Sequence, residues 1–244
     1  SSLPVNDVHI SNCSFSSVCA AIRIGLKSIG SISDVHISHC SMKNVWREGI
    51  KIECSEGGNI SDINIQDITM NDVSRPIFIL LNNRFEPDDL GSSLELDHIP
   101  EIGTMSDIII SDIIASDSDE MRNTHYRFDD DVMGSPKFAG IRIDAEKNHP
   151  IRNLTLRNIS YKFIGGVKLS DIPNEYPEVI DKLIDCDTLS SENYYPDWSR
   201  ASFMDIRNII GLNVRNIQCF AIYPDERRGI ITENVQFSDN SDTL

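Results

Sequence analysis

The sequence predicts an all-β protein, specifically a right-handed parallel β-helix, a solenoid with long loops rising on one face. Three observations predict it. A ten-residue phrase returns six times, the first two copies are 27 residues apart and the next pair 28, and a second strand-like segment follows most copies. Self-similarity at a fixed period constrains architecture more strongly than local propensity does.

The phrase first reads Val5-Asn6-Asp7-Val8-His9-Ile10-Ser11-Asn12-Cys13-Ser14. It returns almost letter for letter as Ile32-Ser33-Asp34-Val35-His36-Ile37-Ser38-His39-Cys40-Ser41. Copies follow at 60–69, 105–114 and 151–160, with a looser one at 209–218. The later spacings of 45 and 46 residues fit one repeat plus an inserted loop. Within the phrase Val35-x-Ile37 and Ile63-x-Ile65 alternate with period two, which reads as a short strand. The second strands are Ala21-Ile22-Arg23-Ile24-Gly25, Gly49-Ile50-Lys51-Ile52-Glu53, Pro76-Ile77-Phe78-Ile79-Leu80 and Gly140-Ile141-Arg142-Ile143-Asp144.

Stacked copies would lie about 4.8 Å apart, the ordinary strand spacing. The apolar columns Val8/Val35/Ile63/Ile108/Leu154 and Cys13/Cys40/Ile68/Ile113/Ile159 are expected inside. The column Asn12, His39, Asp67, Asp112, Asn158, Asn216 is polar throughout and suits a turn whose side chains bond along the stack. A leucine-rich repeat has a similar phrase but needs a helix or irregular arc between strands. Here the intervening segments are strand-like and Leu is scarce, so the β-helix is preferred.

The 244 residues form one domain, read as the carboxy-terminal part of a longer solenoid. No stretch approaches the roughly 18 apolar residues of a membrane span. The net charge of −16 argues against a nucleic-acid partner. No charged-then-apolar secretory signal opens the sequence, so a removed leader or further upstream chain is expected. Of the six cysteines none forms a close metal-ligand pair, and Cys13 and Cys40 read as buried thiols. The sequons at Asn12, Asn59, Asn153 and Asn158 follow from a repeat rich in Asn and Ser. Less regular stretches at 82–103, 116–136 and 170–202 mark loops, the kind of segment that carries function on a solenoid. The acidic run Asp129-Asp130-Asp131 lacks the alternation of a cation loop and reads as solvated. No metal or cofactor is expected; His9 and His36 share an outward column with no third ligand placed beside them.

The stretch Ala20-Ala21-Ile22-Arg23-Ile24-Gly25, Gly30-Ser31-Ile32-Ser33-Asp34-Val35, Gly49-Ile50-Lys51-Ile52-Glu53 and Gly57-Gly58-Asn59-Ile60-Ser61-Asp62-Ile63 resembles the polygalacturonase family of glycoside hydrolases. In that family a G-x-S-I-G strand precedes an R-I-K strand one coil later. The other end is similar to the ending of bacterial members: Tyr195-Pro196, the segment 201–207 running into arginine, Gly211-Leu212-Asn213-Val214-Arg215-Asn216, and Asp225-Glu226-Arg227. The resemblance covers nearly the whole chain and the carboxy-terminal half of a typical member.

It implies inverting hydrolysis of glycosidic bonds in a pectin-like polysaccharide. One carboxylic acid protonates the leaving oxygen, and a second carboxylate roughly 6.5–9.5 Å away activates water. The family draws these acids from strands before G-x-S-I-G. Here that stretch holds one acid, Asp7, so the catalytic acids are expected upstream and this segment alone is expected to be inactive. Ala20 stands where the family has histidine, and Lys51-Ile52-Glu53 stands for R-I-K, with one cation reversed in sign.

The resemblance implies Arg23, Lys51 and Glu53 as substrate-binding residues, Glu53 repelling a uronate at its subsite or accepting hydroxyls from a neutral sugar, with the loop residue Arg84 a further contact. Arg23, Lys51 and Arg142 alternate with inward isoleucines and so share an outward column, with Phe78 between. The expected partner is a polysaccharide or oligosaccharide. A non-catalytic glycan-binding or structural module is the alternative. The first coil at Val5 is expected to pack on further chain or on another copy.

Overall fold

The computed structural model describes residues 3–25, 29–83, 98–118, 140–171 and 201–242. Among the described residues the protein is all-β, 73% strand, with no α-helix. Strands β1 (Val8–Ser11), β2 (Ser14–Ser17) and β3 (Ile22–Gly25) open the chain. The long β4 (Ile32–Cys54) and β5 (Asn59–Leu81) follow, then β6 (Thr104–Ser116), β7 (Ile141–Ala145) and β8 (Ile151–Gly165). A 3-10 turn at Leu169–Asp171 precedes β9 (Ala201–Tyr223) and β10 (Arg228–Phe237).

Every strand pairing among the described residues is parallel, and its register is that of the repeat. Val8 pairs Val35, Val35 pairs Ile63, Ile63 pairs Ile108, and Ile108 pairs Leu154. Cys40, Ile68, Ile113 and Ile159 align in the same way. These side chains form one continuous apolar core, in which Ile65, Ile77, Ile110 and Leu156 are fully buried. Burial of such aliphatic side chains contributes roughly 1.5–3 kcal/mol each and is the main force holding the ladder.

The long strands bend where a residue takes the left-handed conformation. Asn12, His39, Asp67, Asp112, Asn158 and Asn216 have φ between 50° and 58°. Asp7, Asp34, Asp62, Asp107 and Asn153 form a second such column, with φ of 55–58°. Asn and Asp tolerate this conformation better than other L-residues because their short polar side chains hydrogen-bond locally. They also bond along the column: Asn158 Nδ2 donates to Asp112 Oδ1 at 2.8 Å, Asn216 Nδ2 to Asn158 Oδ1 at 3.0 Å, and Asn153 Nδ2 to Asp107 Oδ1 at 2.9 Å.

The architecture corrects the expected β-helix. The sheet closes into a five-strand parallel barrel rather than a right-handed solenoid. The pairings form a circuit: β5 with β6, β6 with β8, β8 with β9, β9 with β7, and β7 back to β5. The physical reason lies in two of the three 23-residue strands, β5 and β9. β5 gives residues 59–70 to β6 and, past its last bend at Asp72, residues 77–81 to β7. β9 gives residues 204–206 to β7 and residues 209–223 to β8. Phrase and second strand thus belong to one bent backbone run, and a repeat period alone does not say how such runs close. β1–β4 continue from one side of the circuit and β10 from the other.

Candidate functional site

The second-strand segments bring the sequence-selected charges together. Arg23 on β3 pairs Lys51 on β4, Lys51 pairs Phe78 on β5, Phe78 pairs Arg142 on β7, and Arg142 pairs Asp205 on β9. The alternate row Ile22, Ile50, Ile77, Ile141 and Met204 points into the core. The sequence therefore placed Arg23, Lys51, Phe78 and Arg142 correctly in one column.

Their environment differs from a solvated face. Lys51 and Phe78 are 0% exposed, and Glu53, Asp144 and Asp205 are almost as deeply buried. Strands buried on both faces lose the in–out contrast of a half-exposed sheet, and β7 is buried at all five positions. Arg23 is the accessible end of the column, with a side chain 25% exposed.

Glu53 is the hub. Its Oε2 accepts from Arg23 Nε at 2.8 Å and lies 2.6 Å from Arg23 Nη2, a two-pronged charge-assisted contact. Its Oε1 lies 3.0 Å from Lys51 Nζ. Glu53, expected to repel a uronate or to accept hydroxyls from a neutral sugar, engages the two cations expected to bind substrate. Glu48 adds a second carboxylate, 3.9 Å from both Lys51 Nζ and Arg75 Nη1 and 3.6 Å from Arg47 Nε. Phe78 supplies a ring face beneath Lys51 Nζ at 5.1 Å and Arg75 Cζ at 5.2 Å, a cation–π arrangement. Farther along, Arg142 Nη2 lies 3.6 Å from Asp144 Oδ2, and Arg207 Nε 3.4 Å from Asp205 Oδ1.

Arg47, Glu48 and Arg75 were not singled out from the sequence. The available signal was a charge immediately before two of the four second strands, Glu48 before Gly49 and Arg75 before Pro76, which the structure pairs directly. Arg84, the run 129–131 and Cys186 lie outside the described residues, as do most of the three loop stretches.

His9 and His36 stack with ring centroids 5.0 Å apart. Each lies against the aspartate two residues before it, Asp7 at 3.1 Å and Asp34 at 2.9 Å. Among the described residues no group of three His, Cys, Asp or Glu side chains is placed to hold a metal ion. Beside His36 a shallow groove of about 640 Å³ crosses the strands, lined by Asp34, Asp62, Asn64, Asp107 and Ile109. The hydrogen bonds from Ser106 and Asn153 hold the Asp107 carboxyl below its ordinary pKa. Asn158 does the same, as the first cause, for Asp112. Both carboxylates are thereby favoured in the ionised state, the opposite of what a general acid requires.

Cys13, Cys19, Cys40, Cys54 and Cys219 are free thiols. Burial, with a smaller contribution from Glu56, pushes the Cys54 thiol up to about 12. Comparison with protein-family models and with curated proteins gave no match for this chain.

Proposed function

We propose that the chain belongs to a polysaccharide-degrading glycoside hydrolase of the polygalacturonase type, acting by inversion on a pectin-like substrate. The described residues would supply a glycan-contacting wall rather than the acid–base pair. The observation that carries this reading is the in-register charged column from Arg23 through Lys51 and Arg142 to Asp205, on segments whose order and spacing resemble that family. Burying ionised groups costs several kcal/mol each before pairing. The same cost also accompanies purely structural ion pairs.

A second reading, a non-catalytic glycan-binding or structural module, is favoured by Glu53. A carboxylate that already engages Arg23 and Lys51 leaves less positive potential for a uronate. The two readings separate in one set of measurements on the full 244-residue chain. Calorimetry against oligogalacturonides and neutral oligosaccharides reads binding, and release of reducing ends from polygalacturonate reads hydrolysis. Binding without release, with oligogalacturonides preferred over neutral oligosaccharides, supports the substrate-contacting wall of a hydrolase; binding without that preference supports the module. Release with an inverted product anomer supports the hydrolase and places the acid pair within the chain. Neither binding nor release with any pectin-derived glycan overturns the glycan assignment itself.

A further inference from the structure

Two cysteines occupy equivalent positions on neighbouring backbone runs. Ser11 pairs Ser38 and Ser14 pairs Ser41, so Cys13 stands opposite Cys40 in the same parallel register. The backbone agrees: Ser41 N donates to Cys13 O at 2.9 Å, the slanted bond that parallel pairing of residues 13 and 40 requires. Cys40 belongs to the apolar core and Cys13 packs against it, so both side chains turn inward. They also share one orientation. Each thiol donates to the carbonyl two residues before it, Cys13 Sγ to Ser11 O at 3.3 Å and Cys40 Sγ to Ser38 O at 3.2 Å. Identical side chains held alike on neighbouring strands are separated by the strand spacing, which puts the two sulfurs about 4.8 Å apart.

That separation selects the chemistry. A disulfide needs its sulfurs about 2.05 Å apart and its Cβ atoms about 3.5–4.5 Å apart. Closing one here would draw two backbone runs together against the ladder, and both thiols are free. A metal–thiolate bond is about 2.3 Å long for zinc, so an ion held in line between two sulfurs spans about 4.6 Å. Such an ion fits between Cys13 and Cys40 with neither strand moving. A tetrahedral ion would need closer sulfurs and two more ligands. The column offers none, because it continues as Ile68, Ile113 and Ile159. Linear coordination by two thiolates is the habit of soft closed-shell cations, and thiolate is the soft ligand of the protein repertoire.

We propose that Cys13 and Cys40 form a two-coordinate site for a soft, thiophilic cation, with mercury(II) held in preference to monovalent ions. The charge balance sets that preference. Mercury(II) with two thiolates is neutral, whereas copper(I) or silver(I) would leave a net negative charge in an apolar column, which is costly. Binding forms two metal–sulfur bonds and breaks two S–H bonds. Both protons leave to solvent, and nothing is oxidised or reduced. The site is independent of the glycan reading.

Competition against glutathione tests this on the full 244-residue chain. One equivalent of mercury(II) chloride is added with excess glutathione, and metal retained after gel filtration is measured. Two thiols on one scaffold act as a chelate and outcompete a monothiol, which a single cysteine does not. The parent is expected to retain one mercury per chain, with X-ray absorption showing two sulfurs at about 2.3 Å, the length of a metal–thiolate bond. Cys13→Ser and Cys40→Ser should each lower retention at least about tenfold, the chelate advantage being larger than that. Cys19→Ser and Cys219→Ser should leave it unchanged, and circular dichroism checks that every variant keeps the parent's strand spectrum. A parent that surrenders its mercury to glutathione overturns the proposal. So does retention unaltered by Cys13→Ser or Cys40→Ser, or more than two sulfurs around the ion. Tighter retention of copper(I) than of mercury(II) overturns the charge preference.

Discussion

Replacing Glu53 by Gln tests the buried hub most directly. The substitution keeps the side chain's shape and removes its charge. Lys51 then retains Glu48 at 3.9 Å as its charged neighbour among the contacts described above, and Arg23 loses its two-pronged carboxylate. Lys51 is fully buried, so its lost partner cannot be replaced by water without opening the sheet. Removing one member of a buried ion pair destabilises by about 3–5 kcal/mol. With a urea dependence of about 3 kcal/mol per molar, the unfolding midpoint should fall by about 1 M or more. The control is the double change Lys51→Met with Glu53→Leu, which removes both charges and keeps the volume. It should recover most of the loss, since buried pairs replaced by apolar side chains are often neutral or better. Equilibrium urea unfolding followed by circular dichroism reads both. A midpoint for Glu53→Gln within about 0.2 M of the parent, well below the loss a buried pair implies, would refute the picture of Glu53 as the group neutralising Lys51 and Arg23.

Three further outcomes are expected. Gly140→Ala should lower thermal stability by about 1–3 kcal/mol, the usual cost of overpacking, because a Cβ there would sit 2.3 Å from Cε1 of the buried Tyr161 ring; differential scanning calorimetry reads this, and an unchanged midpoint would mean the ring has room to move. The lowered pKa values of Asp107 and Asp112 mean that their stabilisation is present above the unfolded value near 3.8 and is lost as pH falls through the still lower folded value; Asp107→Asn combined with Asp112→Asn should therefore flatten the fall in stability below about pH 4, measured by urea unfolding across pH. In native protein at pH 8 Cys54 should resist iodoacetamide, since its thiol titrates at about 12 and is buried, while the exposed Cys219 is alkylated faster; mass spectrometry of digests reports both, and equal labelling would contradict the burial of Cys54.

Much of the fold was legible because the repeat fixes register. A ladder in which Val35 meets Val8 and Ile63 follows from a spacing of 27 and then 28 residues, and no other pairing keeps both apolar rows on one side. The left-handed bends were legible as a polar column because the residue types that tolerate that conformation are few. The closure was not. Whether residues 77–81 and 59–70 belong to one bent strand or two separate ones depends on backbone geometry at Asp72, and β7 completes the circuit only because β5 and β9 both present a leg to it.

The charged column shows where one-dimensional reading stops. Alternation correctly assigned Arg23, Lys51 and Arg142 to the face opposite the isoleucines, but it cannot say whether that face meets water. The default for Lys and Arg is exposure, and here Lys51 is fully buried. The sequence did hold the deciding clue, a carboxylate two residues beyond Lys51. In a strand, residues i and i+2 share a face, so Lys51 and Glu53 were bound to lie on the same side, and the parallel register brings Arg23 alongside them. Three such groups within ion-pair reach are a self-contained set. Their mutual attraction offsets part of the desolvation cost that burying any one alone would incur. The opposite-signed neighbour at i+2 is thus what makes burial of Lys51 tolerable, and the same neighbour reduces the potential that a uronate would feel at Arg23.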